Sequence, residues 1–388
     1  MVLNLLKQNC KYGFLPALIL IWPFVSNIFL KNNLSYITGK WSTWGTLIIH
    51  PLQFILLLLI GIAAFKNKNL PKSLIALSSL ILTILGMLLW PNQSTTNLII
   101  FISLVTIIYL PKIKETKTFT IMAITIFSTQ SLIAIIQFIF KHSLRLQFLN
   151  EPIINNSIKG IAKLPFPQFG TELIRSYGTF DHPNILSGFL SLMLIYFLTS
   201  QQISKRKKII LSIIGCTALF TTLSRSIIFL PIILIFYYRK KIKQIWLPLT
   251  IIIITLLSVF AVRLASPYTT NSNQERLQQI ETFVQPNQNK LLPWEEQPIH
   301  NIYLLIFQKY NVASLIIILL IAATYYYQEK PKINLGIIFL LLISLTDHFL
   351  LTLPIGNYFI VLALLIDHST NSEHPLPASP QAEPVLMQ

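Results

Sequence analysis

Long apolar runs separated by short polar segments dominate the hydrophobicity pattern of this chain. A membrane-crossing helix needs about 17–25 mostly apolar residues, and twelve runs reach or approach that length. The predicted spans are residues 12–30, 46–65, 73–90, 97–110, 118–140, 185–200, 208–223, 226–238, 245–262, 302–327, 333–347 and 356–367. The pattern therefore predicts an all-α, polytopic membrane bundle of about twelve transmembrane helices.

Two polar segments, residues 141–184 and 263–301, are much longer than the others. In the second, Leu277, Ile280 and Val284 share one face of a predicted helix. A short amphipathic helix on the membrane surface is expected there, either as a lid or as a simple shield for the loop.

The C-terminal stretch, residues 368–388, is rich in Pro, Ser, Glu and Gln and has no apolar periodicity. Such a composition is typical of disorder. The predicted organisation is one membrane domain, residues 1–367, followed by a disordered cytoplasmic tail.

Composition excludes an ordinary soluble domain, because 53% of the 388 residues are hydrophobic, only 11% are charged and the mean hydropathy is +0.64. The net charge of +17 alone would suit a nucleic-acid-binding protein. However, 18 of the 30 Lys and Arg residues fall in short segments on one predicted side of the spans, where the positive-inside rule places them. The charge therefore indicates topology, with both termini cytoplasmic and no nucleic-acid partner.

The stretch Arg175-Ser-Tyr-Gly-Thr-Phe-Asp-His-Pro-Asn184 is a polar segment between apolar runs. Gly178 permits a tight turn, and Pro183 can open the helix that follows. His182 is expected to cap that helix or form the turn. Asn184 directly precedes the apolar run that begins at Ile185, and with His182 and Asn301 it is a candidate substrate-binding residue.

Arg225 lies between two apolar runs, near their predicted outer ends. An ionisable residue there usually faces a cavity or a partner, and Arg suits phosphate binding. The alternative is a snorkelling side chain at a hairpin tip. Arg175 and Arg276 are candidates to join it in an outward-facing cationic cluster, although Arg276 has Glu275 and Glu281 as local ion-pair partners. Arg263 is expected to be an interfacial anchor.

His300 ends the second long outer segment at the start of a membrane helix. A neutral imidazole there can act as a general base, whereas plain helix capping by His300 or Asn301 is the alternative. Asp347 lies near an outer helix end, where it either helps line the cavity or satisfies its own helix terminus. No Asp-x-Asp pair, zinc-ligand spacing or phosphate-binding Gly-rich loop occurs in the sequence, so no metal and no cofactor are expected.

Three motifs in order resemble the O-antigen ligase and O-antigen polymerase family: the Arg175–Asn184 stretch, Leu-Ser224-Arg225-Ser, and Pro298-Ile-His300-Asn301-Ile-Tyr303-Leu. The resemblance covers about residues 170–350. It implies a bundle of about twelve helices in the inner (cytoplasmic) membrane, with its active side on the periplasmic face.

The resemblance further implies metal-independent, inverting transfer of a glycan from an undecaprenyl-diphosphate carrier to a lipid or glycan acceptor within the membrane. Arg175 and Arg225 would hold the diphosphate, Arg276 would assist and His300 would deprotonate the acceptor. The chain has Lys309 and Asn311 where the family usually has Glu and Gly. Two alternatives stay open: a transporter or flippase for a lipid-linked glycan or small anion, and an inactive scaffold of an envelope polysaccharide complex.

Overall fold

The computed structural model describes residues 21–25, 28–31, 47–52, 117–155, 161–166, 171–239, 242–266 and 335–347, together with residues 158, 274, 303, 350, 356, 358–360, 362 and 363. This part of the chain is mostly helical. Its α-helices are α1 (Lys117–Phe140), α2 (Pro183–Thr199), α3 (Lys205–Thr222), α4 (Phe229–Tyr238), α5 (Trp246–Leu264) and α6 (Leu335–Ile343). Short 3₁₀ turns occur at Trp22–Phe24, Gln147–Leu149, Arg225–Ile228 and Ile242–Gln244.

The described helices coincide with six of the predicted apolar spans, because long apolar runs fold as helices whose backbone groups are satisfied internally. Two of them, α1 and α5, are long and apolar enough to cross a membrane by length and composition. They give weak support for membrane association. Most of the predicted spans 73–90, 97–110 and 302–327, and the tail from residue 368, lie outside the described residues, as does nearly all of the predicted amphipathic helix.

The all-α prediction misses four short strands, which form two antiparallel pairs: β1 (Ile28–Lys31) with β2 (Leu47–Ile49), and β3 (Lys163–Phe166) with β4 (Thr171–Ile174). β1 and β2 fall in the predicted spans 12–30 and 46–65. Pro23 lies in the first of these spans and opens a 3₁₀ turn, and β-branched Ile favours strands in both.

Helix α2 is the centre of the bundle and is apolar all round, so nearly every residue from Ile185 to Leu198 is fully buried. α1, α3, α4 and α6 pack around it. α1 and α3 approach closely at Gly215, where an added Cβ would lie 2.5 Å from Cζ of Phe127. Phe127 in turn packs edge-to-face on Phe197 with ring centroids 5.0 Å apart.

One end of the bundle is fixed by the last turn of α2. The carbonyl of Leu198 accepts hydrogen bonds from Lys208 Nζ of α3 (2.6 Å) and from the Tyr238 hydroxyl of α4 (2.8 Å). Near the start of α1, the hydroxyls of Thr120 and Tyr196 are 2.9 Å apart. The starts of α1 and α3 and the end of α4 therefore lie at the C-terminal end of α2.

Candidate functional site

The opposite end of α2 carries the segment from Arg175 to Asn184. Residues Ile174 to Phe180 are all buried, although they form no regular helix or strand beyond the end of β4. Gly178 has a φ of 60°, in the left-handed region that favours glycine, and lies in a turn closed by a hydrogen bond from Phe180 N–H to the Tyr177 carbonyl. An added Cβ there would lie 2.6 Å from Gln130 Oε1, so the turn also needs glycine for space.

Two glutamines on α1 supply the hydrogen bonds that this irregular backbone lacks. Gln137 accepts from the N–H groups of Tyr177 (3.0 Å) and Gly178 (2.8 Å), and its amide donates to the Gly178 carbonyl (2.9 Å). Gln130 accepts from Thr179 N–H (3.1 Å) and donates to the Thr179 hydroxyl (2.6 Å). A buried loop is stable only when its backbone groups are paired, and α1 pairs them.

His182 is the N-cap of α2, and its Nδ1 accepts from the backbone N–H of Asn184 at 3.2 Å. Pro183 occupies the first helical position, where the missing N–H costs nothing. His182 thus acts in the capping role that the sequence suggests.

Arg175 is only 9% exposed and joins this segment to the end of α3. Its Nε donates to the carbonyl of Thr222 (2.7 Å) and its Nη2 to Oδ1 of Asn184 (2.6 Å). The C-terminal carbonyls of a helix carry partial negative charge, so a guanidinium is well placed there.

Asn184 is the junction of the network, because its amide joins groups of opposite charge. Oδ1 accepts from Arg175 and from the Ser224 hydroxyl (3.1 Å), while Nδ2 donates to Oδ2 of Asp347 (2.5 Å). These partners fix the orientation of the amide. Asp347 is 6% exposed and follows α6. The Asn184 side chain therefore links α2 to the start of the Arg225–Ile228 turn and to the segment after α6.

Arg225 opens the 3₁₀ turn that follows α3 and is partly buried, with its Nη2 atom fully buried. The neighbouring Ser224 hydroxyl lies 2.8 Å from that of Ser226, which lies 3.3 Å from that of Ser187 on α2. A chain of hydroxyls therefore ties the Arg225 turn to the central helix.

A third guanidinium reaches the same turn. Arg263, in the last turn of α5, donates from Nη1 to the carbonyl of Leu223 at 2.5 Å. Leu223 has a φ of 47° and ends α3 in the left-handed conformation. The side chain of Arg263 is 7% exposed, so the expected interfacial anchor is instead a buried contact that holds the turn.

Tyr177 shows how dry this part of the molecule is. Burial raises the pKa of its hydroxyl above the usual value, and this effect outweighs the hydrogen bond from Ala162 N–H and the nearby charge of Arg175, which both lower it. Tyr177 is therefore neutral and accepts the Ala162 N–H at 2.7 Å. The arginines thus act in surroundings where water screens charge weakly.

Of the predicted site residues, the structure brings together Arg175, Asn184 and the turn that carries Arg225, with His182 capping the helix beside them. His300, Asn301 and Arg276 lie outside the described residues. Asp347, which the sequence offers either as a cavity-lining residue or as a partner of its own helix terminus, bonds to Asn184 in this network. A lone carboxylate near the end of an apolar run is the only sequence signal that points to it.

Within the described part of the chain, no three His, Cys, Asp or Glu side chains come together as a metal site would need. Comparisons with protein-family models, with curated proteins and with solved structures give no match for this chain.

The positions of the arginines suit this part of the molecule to anion binding. Three arginines converge on the turn between α3 and α4, and one described carboxylate, that of Asp347, is bonded into the same network. A buried site with several guanidinium groups suits an anion with several oxygens, such as a diphosphate, because one guanidinium can bind two such oxygens at once.

Proposed function

We propose that this protein is a membrane glycosyltransferase of the O-antigen ligase or polymerase type. It would move a glycan from an undecaprenyl-diphosphate carrier to an acceptor hydroxyl at the periplasmic face of the inner membrane. The observation that carries the proposal is the junction at Asn184, where the Arg175–Asn184 motif meets Ser224, the residue before Arg225. Two motifs that are 40 residues apart in sequence therefore contribute to one cationic site.

The reaction is a single displacement at the anomeric carbon. The acceptor oxygen forms a bond to that carbon, the bond to the carrier oxygen breaks, and its electron pair stays on the diphosphate. His300 takes the acceptor proton as general base. Negative charge grows on the leaving diphosphate, and fixed guanidinium groups in a dry site stabilise that charge without reorganising.

The contacts support different roles for the two arginines. Arg175 donates to Thr222 and Asn184, so it holds the end of α3 against the start of α2 and adds positive charge to the site. Arg225 stands on the turn that these contacts position, and in this proposal it contacts the diphosphate directly. Arg276 assists from the outer segment, as the family resemblance implies.

The decisive experiment is reconstitution of the purified protein in liposomes with an undecaprenyl-diphosphate oligosaccharide and a panel of acceptors. The proposal predicts release of undecaprenyl diphosphate. A ladder of lengthened glycans would identify a polymerase, whereas a single transfer to one acceptor would identify a ligase. Folded protein that binds the carrier but releases no diphosphate would contradict the proposal and favour transport or an inactive scaffold.

Arg225→Ala is expected to lower the transfer rate by about 10²- to 10³-fold, the usual cost of removing one group that stabilises charge in the transition state. Carrier affinity, measured by binding of labelled carrier, should fall as well. Arg225→Lys keeps the charge but loses the paired donors, so it should restore only part of the activity.

Arg145→Ala is the matched control, because Arg145 is an exposed arginine that follows α1. Its transfer rate should stay within twofold of the unmodified protein. Unchanged carrier affinity in Arg225→Ala would remove Arg225 from the diphosphate site.

A further inference from the structure

We infer that the end of the bundle opposite the arginine site binds the headgroups of anionic phospholipids. Six exposed basic residues, here called the basic surface, lie at this end: Lys117, Lys205, Arg206, Lys207, Arg239 and Lys243. The inference does not depend on the transferase activity.

The fold brings these residues together from three stretches of sequence. Lys117 begins α1, residues 205–207 begin α3, and Arg239 and Lys243 lie between α4 and α5. The contacts at Leu198 and between Thr120 and Tyr196 place these helix ends side by side at the C-terminal end of α2. The basic surface is therefore a product of the fold and not of one charged run.

Within the described residues, the acidic side chains lie away from the basic surface. The four that the structure describes are Glu151, Glu172, Asp181 and Asp347. Asp181 directly precedes α2, and Asp347 bonds to Asn184 in the first turn of α2. Glu151 accepts a hydrogen bond from Gln137, the side chain that also bonds to Gly178. Glu172 pairs with Lys163 on the hairpin that leads into Arg175. A 17-residue helix is roughly 25 Å long, so about that distance separates these carboxylates from the basic surface.

Helix stability does not account for the position of these charges. Lys205, Arg206 and Lys207 occupy the first turn of α3, where the helix dipole is positive and cations are unfavourable. Lys208 is different, because it donates to the Leu198 carbonyl and so stabilises the end of α2. An anionic partner outside the chain would offset the unfavourable placement of the other three.

The side chains around the basic surface identify the partner as a bilayer. Trp246, the first residue of α5, is 61% exposed, and Phe236 and Tyr237 near the end of α4 are also exposed. Arg239 lies over the Phe236 ring at 5.7 Å. Trp and Tyr beside Lys and Arg are typical of the level of lipid headgroups. Further from this end of the bundle, the exposed side chains of Ile210, Ile213 and Ile232 are apolar, as contact with lipid acyl chains requires.

The test uses full-length protein in a neutral detergent, titrated with phosphatidylglycerol or with phosphatidylcholine while the unfolding temperature is followed. A ligand that binds only the folded state stabilises it by RT ln(1 + [L]/Kd), so the unfolding temperature rises with ligand concentration and rises more for the tighter ligand. Phosphatidylglycerol should raise it more than phosphatidylcholine does, and high salt should weaken the difference. Equal responses to both lipids, or the same response to inorganic phosphate as to phosphatidylglycerol, would overturn the inference.

The variant Arg206→Gln/Lys207→Gln should weaken the apparent affinity for phosphatidylglycerol roughly 25-fold, because each basic residue near an anionic surface contributes about fivefold. Lys117→Gln/Arg239→Gln, taken from other elements, should weaken it similarly. The matched control is Lys141→Gln/Arg145→Gln, an exposed pair that follows α1 at the opposite end, and it should change the affinity less than twofold. An equal loss in the control, or no loss in either test variant, would show that the basic surface does not bind the lipid.

Discussion

Gln137→Leu is expected to destabilise the protein by about 3–5 kcal/mol, because it removes the side chain that pairs the buried backbone of the site. Gln137 is 1% exposed and makes four hydrogen bonds: from Tyr177 N–H, from Gly178 N–H, to the Gly178 carbonyl and to Glu151 Oε1. Leucine is similar in size but can replace none of them. Each buried group left without a partner costs about 1–3 kcal/mol.

The measurement is the free energy of unfolding in mixed micelles, with the unfolding temperature as a second readout. Gln147→Leu is the matched control, since Gln147 is exposed in the turn after α1. This control should change the free energy of unfolding by less than about 0.5 kcal/mol. Similar values for the two variants would mean that Gln137 does not hold the Tyr177–Gly178 turn.

His300→Ala is expected to lower the rate of glycan transfer by about 10²- to 10⁴-fold, the usual contribution of a general base. Binding of the carrier should stay nearly unchanged, because the proposed role of His300 is to accept the acceptor proton and not to hold the diphosphate. The two effects are separated by measuring single-turnover transfer and carrier affinity on the same reconstituted protein.

His142→Ala controls for the loss of an imidazole, since His142 is exposed just after α1 and its Nδ1 lies 2.7 Å from the neighbouring Ser143 carbonyl. Its transfer rate should match that of the unmodified protein. If His300→Ala transfers glycan at the normal rate, His300 is not the base.

The helices were predictable because their signal is local and repeated over many residues. The run predicted at 118–140 is α1, Lys117–Phe140, and the run at 245–262 is α5, Trp246–Leu264. The β3–β4 hairpin was not predictable, since a four-residue strand has too little periodicity to stand out and its pairing is a tertiary contact. It lies in a segment that the sequence presents only as a long outer loop.

The site was predictable in its charges but not in its partners. Arg175 and Arg225 stand out because charged residues are rare in this chain, whereas their positions relative to Asn184 and Asp347 depend on how α2 and α6 pack. The spacing of Gln130 and Gln137 is visible in the sequence and indicates that both amides face the same neighbour. Seven residues is about two helical turns, so these two amides lie on one face of a mostly apolar helix.

The hydrogen bond between Asn184 and Asp347 also has a consequence for biosynthesis, because the two residues are 163 positions apart. A ribosome adds about 5–20 residues per second, so roughly 8–30 s pass between the synthesis of the two partners. The Thr179 hydroxyl can bond to the Pro23 carbonyl, 156 residues earlier, as soon as both are present. Helices α1 to α5 are therefore synthesised well before the Asn184 amide can receive its carboxylate, so the Asp347 contact is the last of the described hydrogen bonds of Asn184 to form.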